Sequence, residues 1–221
     1  MKRLCALVMG LIILSLAAGS YALEKKHDKA LAAEAVPLGF TKTKSRFFDS
    51  VYLKPGVNFS EYPQLQFAEL DTSNVTVHEP SSADHFDEPW ILTDKDKAYL
   101  QQKYLESFNK ELIKTNRFKA AGGSGKTLLI KTTLQELAPS APKDDIKSRP
   151  TISSIYTEGA GSMTMKMEIY DAQTNTLLGL IADEGDLGNR WEKNERTNNK
   201  RQLSLGFVRW ADSLGDALGV K

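Results

Sequence analysis

The sequence predicts an α+β protein, a two-layer sandwich in which a mixed sheet of about five strands carries two main helices on one face. Residues 162–170 alternate between apolar and polar side chains, which is the period of a strand. Residues 93–116 and 200–218 each place apolar side chains along one stripe at helical spacing. Neither stripe can be buried by its own helix, so the simplest arrangement packs both helices on the sheet.

The first 22 residues have the pattern of a cleavable signal peptide. Lys2 and Arg3 form a positive start, and residues 4–18 form an apolar run that is short for a membrane span. Residues 20–22 (SYA) place small side chains where signal peptidase reads them. We therefore expect cleavage near Ala22 and a periplasmic or secreted protein. The alternative is that the segment stays attached as an N-terminal anchor.

Composition narrows the classes of partner. The only cysteine, Cys5, precedes the apolar run, so no cysteine stands where a lipoprotein signal needs one, and we expect no lipid anchor. Its loss with the signal leaves a mature chain without disulfides or thiol chemistry. The whole chain carries a net charge of +1, which gives no electrostatic argument for nucleic acid as a partner.

The N-terminal part of the mature chain divides at about residue 47. Residues 23–46 are rich in Ala, Lys and Glu and are expected to form an N-terminal arm that contains a short helix. A single α+β domain is expected over 47–221. Within it, short strands are predicted at 50–54 and 64–70, because apolar residues alternate there and turn-forming residues follow.

A long loop is predicted over residues 71–92, followed by the clearest helix. Thr93 and Asp96 fit a capping box, which marks the first turn of that helix. We expect the helix 93–116 to serve as a crossover between two strands of the sheet. A strand is predicted next at 127–137, and then a second loop that runs to about residue 156.

The C-terminal part is predicted as a hairpin, a polar loop and a helix. The strand 162–170 turns at residues 171–175, whose Asp and Asn tolerate left-handed backbone, and returns over 176–183. Residues 184–199 are expected to be a polar loop. The helix 200–218 begins with Lys200 and Arg201, an unfavourable position for cations at the positive end of the helix dipole.

One glycine-rich string resembles two motifs but predicts neither nucleotide binding nor catalysis. Residues 120–127 (AAGGSGKT) match a relaxed phosphate loop, but a helix is expected before them and a strand after them, the reverse of the required order. The same string lacks the last glycine of a nucleophile elbow.

The row Met163, Met165 and Met167 is interpreted as core, because the residues alternate along a strand. No cofactor and no catalytic residue is predicted.

One loop carries a cluster of metal-ligand side chains. Residues 78–88 contain two histidines and several carboxylates, which could together hold zinc or another divalent ion. The spacing matches no known site and the segment contains prolines, so a solvated acidic loop is the competing interpretation. If a metal binds, its ligands are expected to be His78, His85 and Asp87.

Several segments resemble a known family. These are residues 51–56 (VYLKPG) and 59–62 (FSEY), the strand 127–134 (TLLIKTTL), the hairpin 167–178 (MEIYDAQTNTLL) and the helical 210–214 (WADSL). Together they resemble the bacterial "domain of unknown function 3313" family of envelope lipoproteins, over about residues 47–218. The resemblance implies an exported envelope protein, and it implies no particular activity. This chain departs from the family at Asn175, where glycine is usual, and in lacking the lipobox cysteine.

The sequence favours a non-enzymatic binding or accessory protein of the cell envelope or periplasm, whose partner is an envelope protein or a glycan. The alternative is a metal-binding protein or metal-dependent enzyme that uses the loop 78–88. Metal analysis of the mature protein, with and without the substitutions His78→Ala and His85→Ala, separates the two. A third possibility is a glycan-binding module, for which the aromatic side chains of Trp90 and Trp191 are candidates.

Overall fold

The computed structural model describes residues 26–80, 89–140, 156–194 and 196–219. The expected signal peptide, residues 1–22, lies outside these ranges. The strands are β1 (Thr41–Lys42), β2 (Ser50–Leu53), β3 (Gln64–Phe67), β4 (Thr76–Val77), β5 (Lys119–Ala120), β6 (Thr127–Pro139), β7 (Tyr156–Glu158), β8 (Gly161–Asp171), β9 (Thr176–Asp186) and β10 (Trp191–Lys193). The helices are α1 (Lys26–Ala35), α2 (Asp94–Phe108) and α3 (Arg196–Ala217), and a π-helical segment (Asn109–Lys114) continues α2.

The main sheet has eight strands rather than the predicted five. Seven of them run in the order β1-β2-β9-β8-β6-β3-β5, and β4 adds to the far end of β6. The additional strands β1, β4 and β5 are two residues long, and a segment of two residues cannot show the alternation by which a strand is recognised in a sequence. β7 and β10 form a separate two-stranded ribbon.

The long strands β6, β8 and β9 form the antiparallel centre of the sheet, as the sequence predicts. Met163, Met165, Met167 and Ile169 of β8 are almost completely buried, so the interpretation of the methionine row as core is confirmed. β3 and β6 pair in parallel, and α2 lies between them in the sequence. The helix is therefore the crossover that a parallel pair requires.

Both long helices pack on the same face of this centre. Tyr104 and Phe108 of α2, and Phe207 and Trp210 of α3, share one core with the inward side chains of β6 and β8. The rings of Tyr104 and Phe207 lie 6.0 Å apart in an edge-to-face arrangement. The hydroxyl of Tyr104 reaches the sheet, where it forms a buried hydrogen bond of 3.1 Å with the hydroxyl of Thr132.

The other face of the sheet carries α1. Leu31 and Ala35 of this helix are buried against Tyr52, Leu180 and Ala182. On β9 these last two residues alternate with Ile181, which belongs to the core under α2 and α3. The short helix expected in the N-terminal arm is therefore present, and it covers the face of the sheet opposite to the two main helices.

A chain of hydrogen bonds connects α1 and α3 across the sheet. The carboxylate of Asp183 accepts the indole N–H of Trp210 at 2.8 Å and the backbone N–H of Asp49 at 2.9 Å. The carboxylate of Asp49 accepts the N–H of Glu184 and lies 3.1 Å from Nε2 of His27. Helices on opposite faces are thus joined through two aspartates.

The region 184–199, predicted as a loop, is largely regular. β9 continues to Asp186, β10 occupies Trp191–Lys193, and α3 begins at Arg196 rather than at Lys200. The sequence indicates a loop here because the region is rich in Asp, Glu, Asn and Arg, and because its strands expose one face to solvent. Pairing with β7 and β8, which is not visible in the local sequence, makes these segments strands.

The predicted turn at residues 171–175 is confirmed. Asn175 has a positive φ of 51°, the conformation for which glycine or asparagine is selected. The carboxylate of Asp171 accepts the N–H groups of Gln173 and Thr174 and the hydroxyl of Tyr62. The hydrogen bond from the Thr174 N–H, above all, holds the pKa of Asp171 below its usual range, and the Tyr62 and Gln173 donors add to this effect.

We expect Tyr104→Phe to lower the free energy of unfolding by about 1–2 kcal/mol, because it leaves the buried hydroxyl of Thr132 without its partner. Chemical denaturation measures this loss. Thr132→Val combined with Tyr104→Phe should cost less than the sum of the two single changes, since both ends of the hydrogen bond are then removed. As a control, Tyr170→Phe removes a hydrogen bond at a less buried site and should cost less. Strict additivity in the double variant would contradict the coupling.

The second prediction concerns the acid stability of the turn. Because the folded-state pKa of Asp171 is depressed, its contribution is complete above the unfolded-state value of about 3.9 and is lost as the pH falls through the folded-state pKa. Asp171→Asn should therefore be less stable than the natural protein at neutral pH. This difference should shrink below about pH 4, as denaturation curves at several pH values will show. A difference that is the same at all pH values would exclude a role for the ionised carboxylate.

Candidate functional site

A cavity lies at the end of the helical layer where α2 and α3 begin. Its volume is about 510 Å³. The apolar lining residues are Val77, Trp90, Ile91, Leu92, Leu100, Leu137, Ala138, Pro139, Ala160, Leu187 and Leu203. The polar lining residues are Thr93, Lys95, Asp96, Tyr99, Ser162, Asn199 and Lys200. The cavity is thus an apolar space with polar groups concentrated on the two helices.

The start of α2 is fixed by the capping box that the sequence predicts. The N–H of Asp96 donates to the hydroxyl of Thr93, and the carboxylate of Asp96 accepts the N–H and the hydroxyl of Thr93. Such a reciprocal cap satisfies backbone donors that have no partner within the helix. The first turn of α2 is therefore held as one wall of the cavity, and one oxygen of Asp96, Oδ2, accepts both hydrogen bonds from Thr93.

The two helices run in parallel, so that both begin at the cavity. Near their starts, the hydroxyl of Tyr99 donates to the carbonyl oxygen of Lys200 at 3.3 Å. At the far end, Arg117 follows α2 and pairs with Asp212 and Asp216 of α3. The positive ends of both helix dipoles consequently lie at the same side of the molecule, beside the cavity.

The apolar wall of the cavity is continuous with the protein core. Leu100, Leu137 and Leu187 are buried, and Leu92, Leu203 and Ala160 pack against the same core while remaining partly accessible. Trp90 is half-buried, and its backbone N–H donates to the carboxylate of Glu79 at 2.9 Å. Ile91 lines the cavity and keeps 64% of its surface exposed.

Close packing between two strands shapes the wall on the sheet side. Gly161 opens β8 with a positive φ of 112°. A Cβ atom at this position would lie 2.0 Å from the carbonyl oxygen of Ala138, so only glycine fits. Ala138 pairs with Ser162, and both residues line the cavity. The small side chains of this pair leave the space that the cavity occupies.

Two lysines provide the positive charge at the cavity. Lys95, in the first turn of α2, is exposed and makes no ion pair with the residues that the structure describes. The ammonium of Lys200, in the first turns of α3, lies 4.4 Å from the ring centre of Tyr99 and likewise has no acidic partner among the described residues. Cation–π contacts of this kind attract an ammonium to a ring without neutralising its charge.

The residues predicted to hold a metal are only partly described. His78 follows β4, and its Nε2 atom lies 2.7 Å from the carboxylate of Glu136 on β6. His85 and Asp87 lie outside the described residues. Within the described ranges, no group of three or more histidine, cysteine, aspartate or glutamate side chains is placed to share a metal ion. The metal hypothesis for loop 78–88 therefore stays a prediction.

The two tryptophans that could favour glycan binding have different surroundings. Trp90 lines the cavity. Trp191 lies on the ribbon of β7 and β10, where 72% of its surface is exposed. Tyr156, exposed at 59%, pairs with Lys193 on the same face of that ribbon. The ribbon thus presents two exposed aromatic side chains outside the cavity.

The glycine-rich string at residues 120–127 forms a connection between strands. It joins β5 to β6 and therefore leads into a strand, not into a helix as a phosphate loop does. Gly123 and Gly125 pack against the side chain of Gln64, and the ammonium of Lys126 donates to Glu61 at 2.5 Å. The ammonium of Lys126 is therefore already paired with the surface carboxylate of Glu61.

The cavity itself was not predicted from the sequence. It depends on the parallel arrangement of α2 and α3, which no local pattern encodes. The position of Lys200 is not a signal for it, because α3 begins at Arg196 and Lys200 lies beyond the first turn. Among the described residues, no helix is both long enough and apolar enough to span a membrane.

Together, the mixed sheet, the helices on its faces and the apolar cavity define a mixed α/β protein with a candidate site at the start of its helical layer. The chain belongs to the family described as "Protein of unknown function (DUF3313)", whose model matches residues 39–214. The resemblance identified in the sequence is thereby confirmed. No curated protein matches the chain.

Solved structures show a weaker similarity. Two structures of the PelC dodecamer from Paraburkholderia phytofirmans each have a TM-score of 0.39 and 7% sequence identity, over 75% of this chain and 95% or 96% of that chain. Protein XCC0632 from Xanthomonas campestris has a TM-score of 0.40 and 8% identity, over 78% of this chain and 89% of its own. Similarity at this level carries no conclusion about assembly or activity.

Proposed function

We propose that this protein is an exported, non-enzymatic binding protein of the periplasm or cell envelope, and that the cavity at the starts of α2 and α3 is its binding site. The observation that carries the proposal is the cavity itself, about 510 Å³ in volume and lined mainly by apolar side chains. Small-molecule sites commonly occupy roughly 300–1,000 Å³ and combine apolar walls with a few polar groups. The ligand class that fits is a molecule with an apolar body.

The polar groups of the cavity support binding rather than covalent chemistry. A nucleophilic hydroxyl needs a general base within hydrogen-bond reach and a free path to the substrate. The hydroxyl of Thr93 and the carboxylate of Asp96 are both engaged in the reciprocal cap of α2, and the hydroxyl of Tyr99 donates to a backbone carbonyl. These groups hold the helices in place, and the lysine ammoniums are left to contact a ligand.

Export is supported by the N-terminal sequence. A positive start, a short apolar run and small residues at 20–22 form the pattern that signal peptidase cleaves. The exposed aromatic ribbon, with Trp191 and Tyr156, offers a second surface suited to an envelope protein or a glycan. An envelope location would bring both surfaces to partners of these kinds.

The third prediction tests the cavity. Ala138→Phe places a ring in the space that the small Ala138–Ser162 pair leaves open, so it should weaken binding of the neutral dye Nile red by about tenfold or more. Dye fluorescence, titrated against purified protein, measures the affinity. The matched control is Ala33→Phe on the exposed side of α1, which adds the same ring away from the cavity.

Circular dichroism of both variants must match that of the natural protein for the comparison to hold. Equal weakening by Ala138→Phe and Ala33→Phe would contradict binding in the cavity. So would dye binding that neither change affects.

The fourth prediction concerns export. The natural protein, expressed in a Gram-negative host, should appear in the periplasmic fraction with an N-terminus at Leu23, because cleavage is expected after Ala22. Mass spectrometry of the intact protein determines the N-terminus. Replacing Lys2 and Arg3 by glutamate removes the positive start and should retain the full-length chain in the cytoplasm. A cytoplasmic natural protein with its first residues intact would overturn this part of the proposal.

A further inference from the structure

The charges around the cavity are not balanced. The cavity is lined by two cations, Lys95 and Lys200, and by one carboxylate, that of Asp96. The carboxylate already accepts two hydrogen bonds from Thr93. Neither lysine has an acidic partner among the described residues. Among the residues that the structure describes, the lining of the cavity therefore carries two positive charges and one negative charge.

The position of one lysine adds to this charge. Lys95 stands in the first turn of α2, where the unpaired N–H groups and the helix dipole already produce positive potential. Lys200 is the fifth residue of α3 and lies just beyond its first turn. Because the helices are parallel, the two positive ends and the two ammoniums lie on the same side of the cavity. An anion bound there would offset all four, whereas an apolar ligand alone would not.

The charged groups of the cavity come from the helices, whereas its apolar groups come from both the helices and the sheet side. The lysines come from α2 and α3, while Leu137, Ala138 and Leu187 lie on the sheet side and its continuation. The ammonium of Lys200 is held near the cavity by the ring of Tyr99, whose hydroxyl is fixed to the backbone of α3. This arrangement positions a cation before a ligand arrives, which lowers the entropy lost on binding.

We propose that the cavity binds a single-chain anionic amphiphile of the long-chain carboxylate class. Its alkyl chain lies against the leucine side chains, and its carboxylate lies between Lys95 and Lys200. This inference rests on the proposed function, since it names the ligand class of the same site. Charge complementarity selects the carboxylate over a neutral or cationic head group of the same chain length.

The fifth prediction tests the head-group preference by displacement of Nile red. Dodecanoate, 1-dodecanol and dodecylamine, each below its aggregation concentration, are compared as competitors of the dye. Dodecanoate should compete best, and added salt should weaken it more than it weakens the alcohol. Lys95→Gln and Lys200→Gln should each weaken dodecanoate by roughly two- to five-fold and leave 1-dodecanol unchanged.

Lys97→Gln is the matched control. It removes a lysine from the first turn of the same helix that does not line the cavity, so competition by dodecanoate should be unchanged. The lysine substitutions lie on the surface, and the melting temperature of each variant verifies that it folds.

The outcomes separate the inference from the proposed function. If 1-dodecanol or dodecylamine competes as well as dodecanoate, the cavity binds apolar chains but the head-group inference is wrong. If Nile red binding itself does not depend on Ala138, the proposed function fails. Binding to phosphatidylglycerol vesicles without any competition by free dodecanoate would replace the inference with recognition of a membrane surface.

Discussion

The edge-to-face contact between Tyr104 and Phe207 is the interaction on which the arrangement of the molecule depends. It joins α2 to α3 at the middle of both helices, and the hydroxyl of Tyr104 fastens the pair to Thr132 of the sheet. Burial raises the pKa of this hydroxyl to about 12, so it stays protonated and able to share its hydrogen bond. Together with the Tyr99–Lys200 contact near the helix starts and the ion pairs of Arg117 at the far end, the ring contact keeps the helices parallel.

The cavity follows from that geometry and from the small residues below it. Parallel helices leave their first turns side by side, and the strands β6 and β8 meet them with Ala138, Gly161 and Ser162. Larger side chains at these positions would close the space. The affinity for a ligand therefore depends on residues of both layers, and neither layer alone forms a site.

Much of the secondary structure could be predicted from the sequence, and its assembly could not. The capping box at Thr93 and the alternation along β8 are local patterns that depend on nearby residues only, and both are confirmed. The two-residue strands β1, β4 and β5 are defined by pairing with distant segments, so no local pattern indicates them. The cavity depends on the relative direction of two helices about a hundred residues apart, which no local pattern encodes.

The hydrogen bonds that lead from His27 through Asp49 and Asp183 to Trp210 have a consequence for spectroscopy. The indole N–H of Trp210 donates to one carboxylate oxygen of Asp183, and the other oxygen accepts the backbone N–H of Asp49. The carboxylate of Asp49 in turn contacts His27 of α1. Indole emission is sensitive to a neighbouring negative charge, and the ring itself is buried in the core under α3. Release of α1 from the sheet would thus change the fluorescence of Trp210, which lies on the opposite face. The emission of Trp210 therefore reports whether α1 is packed on the sheet.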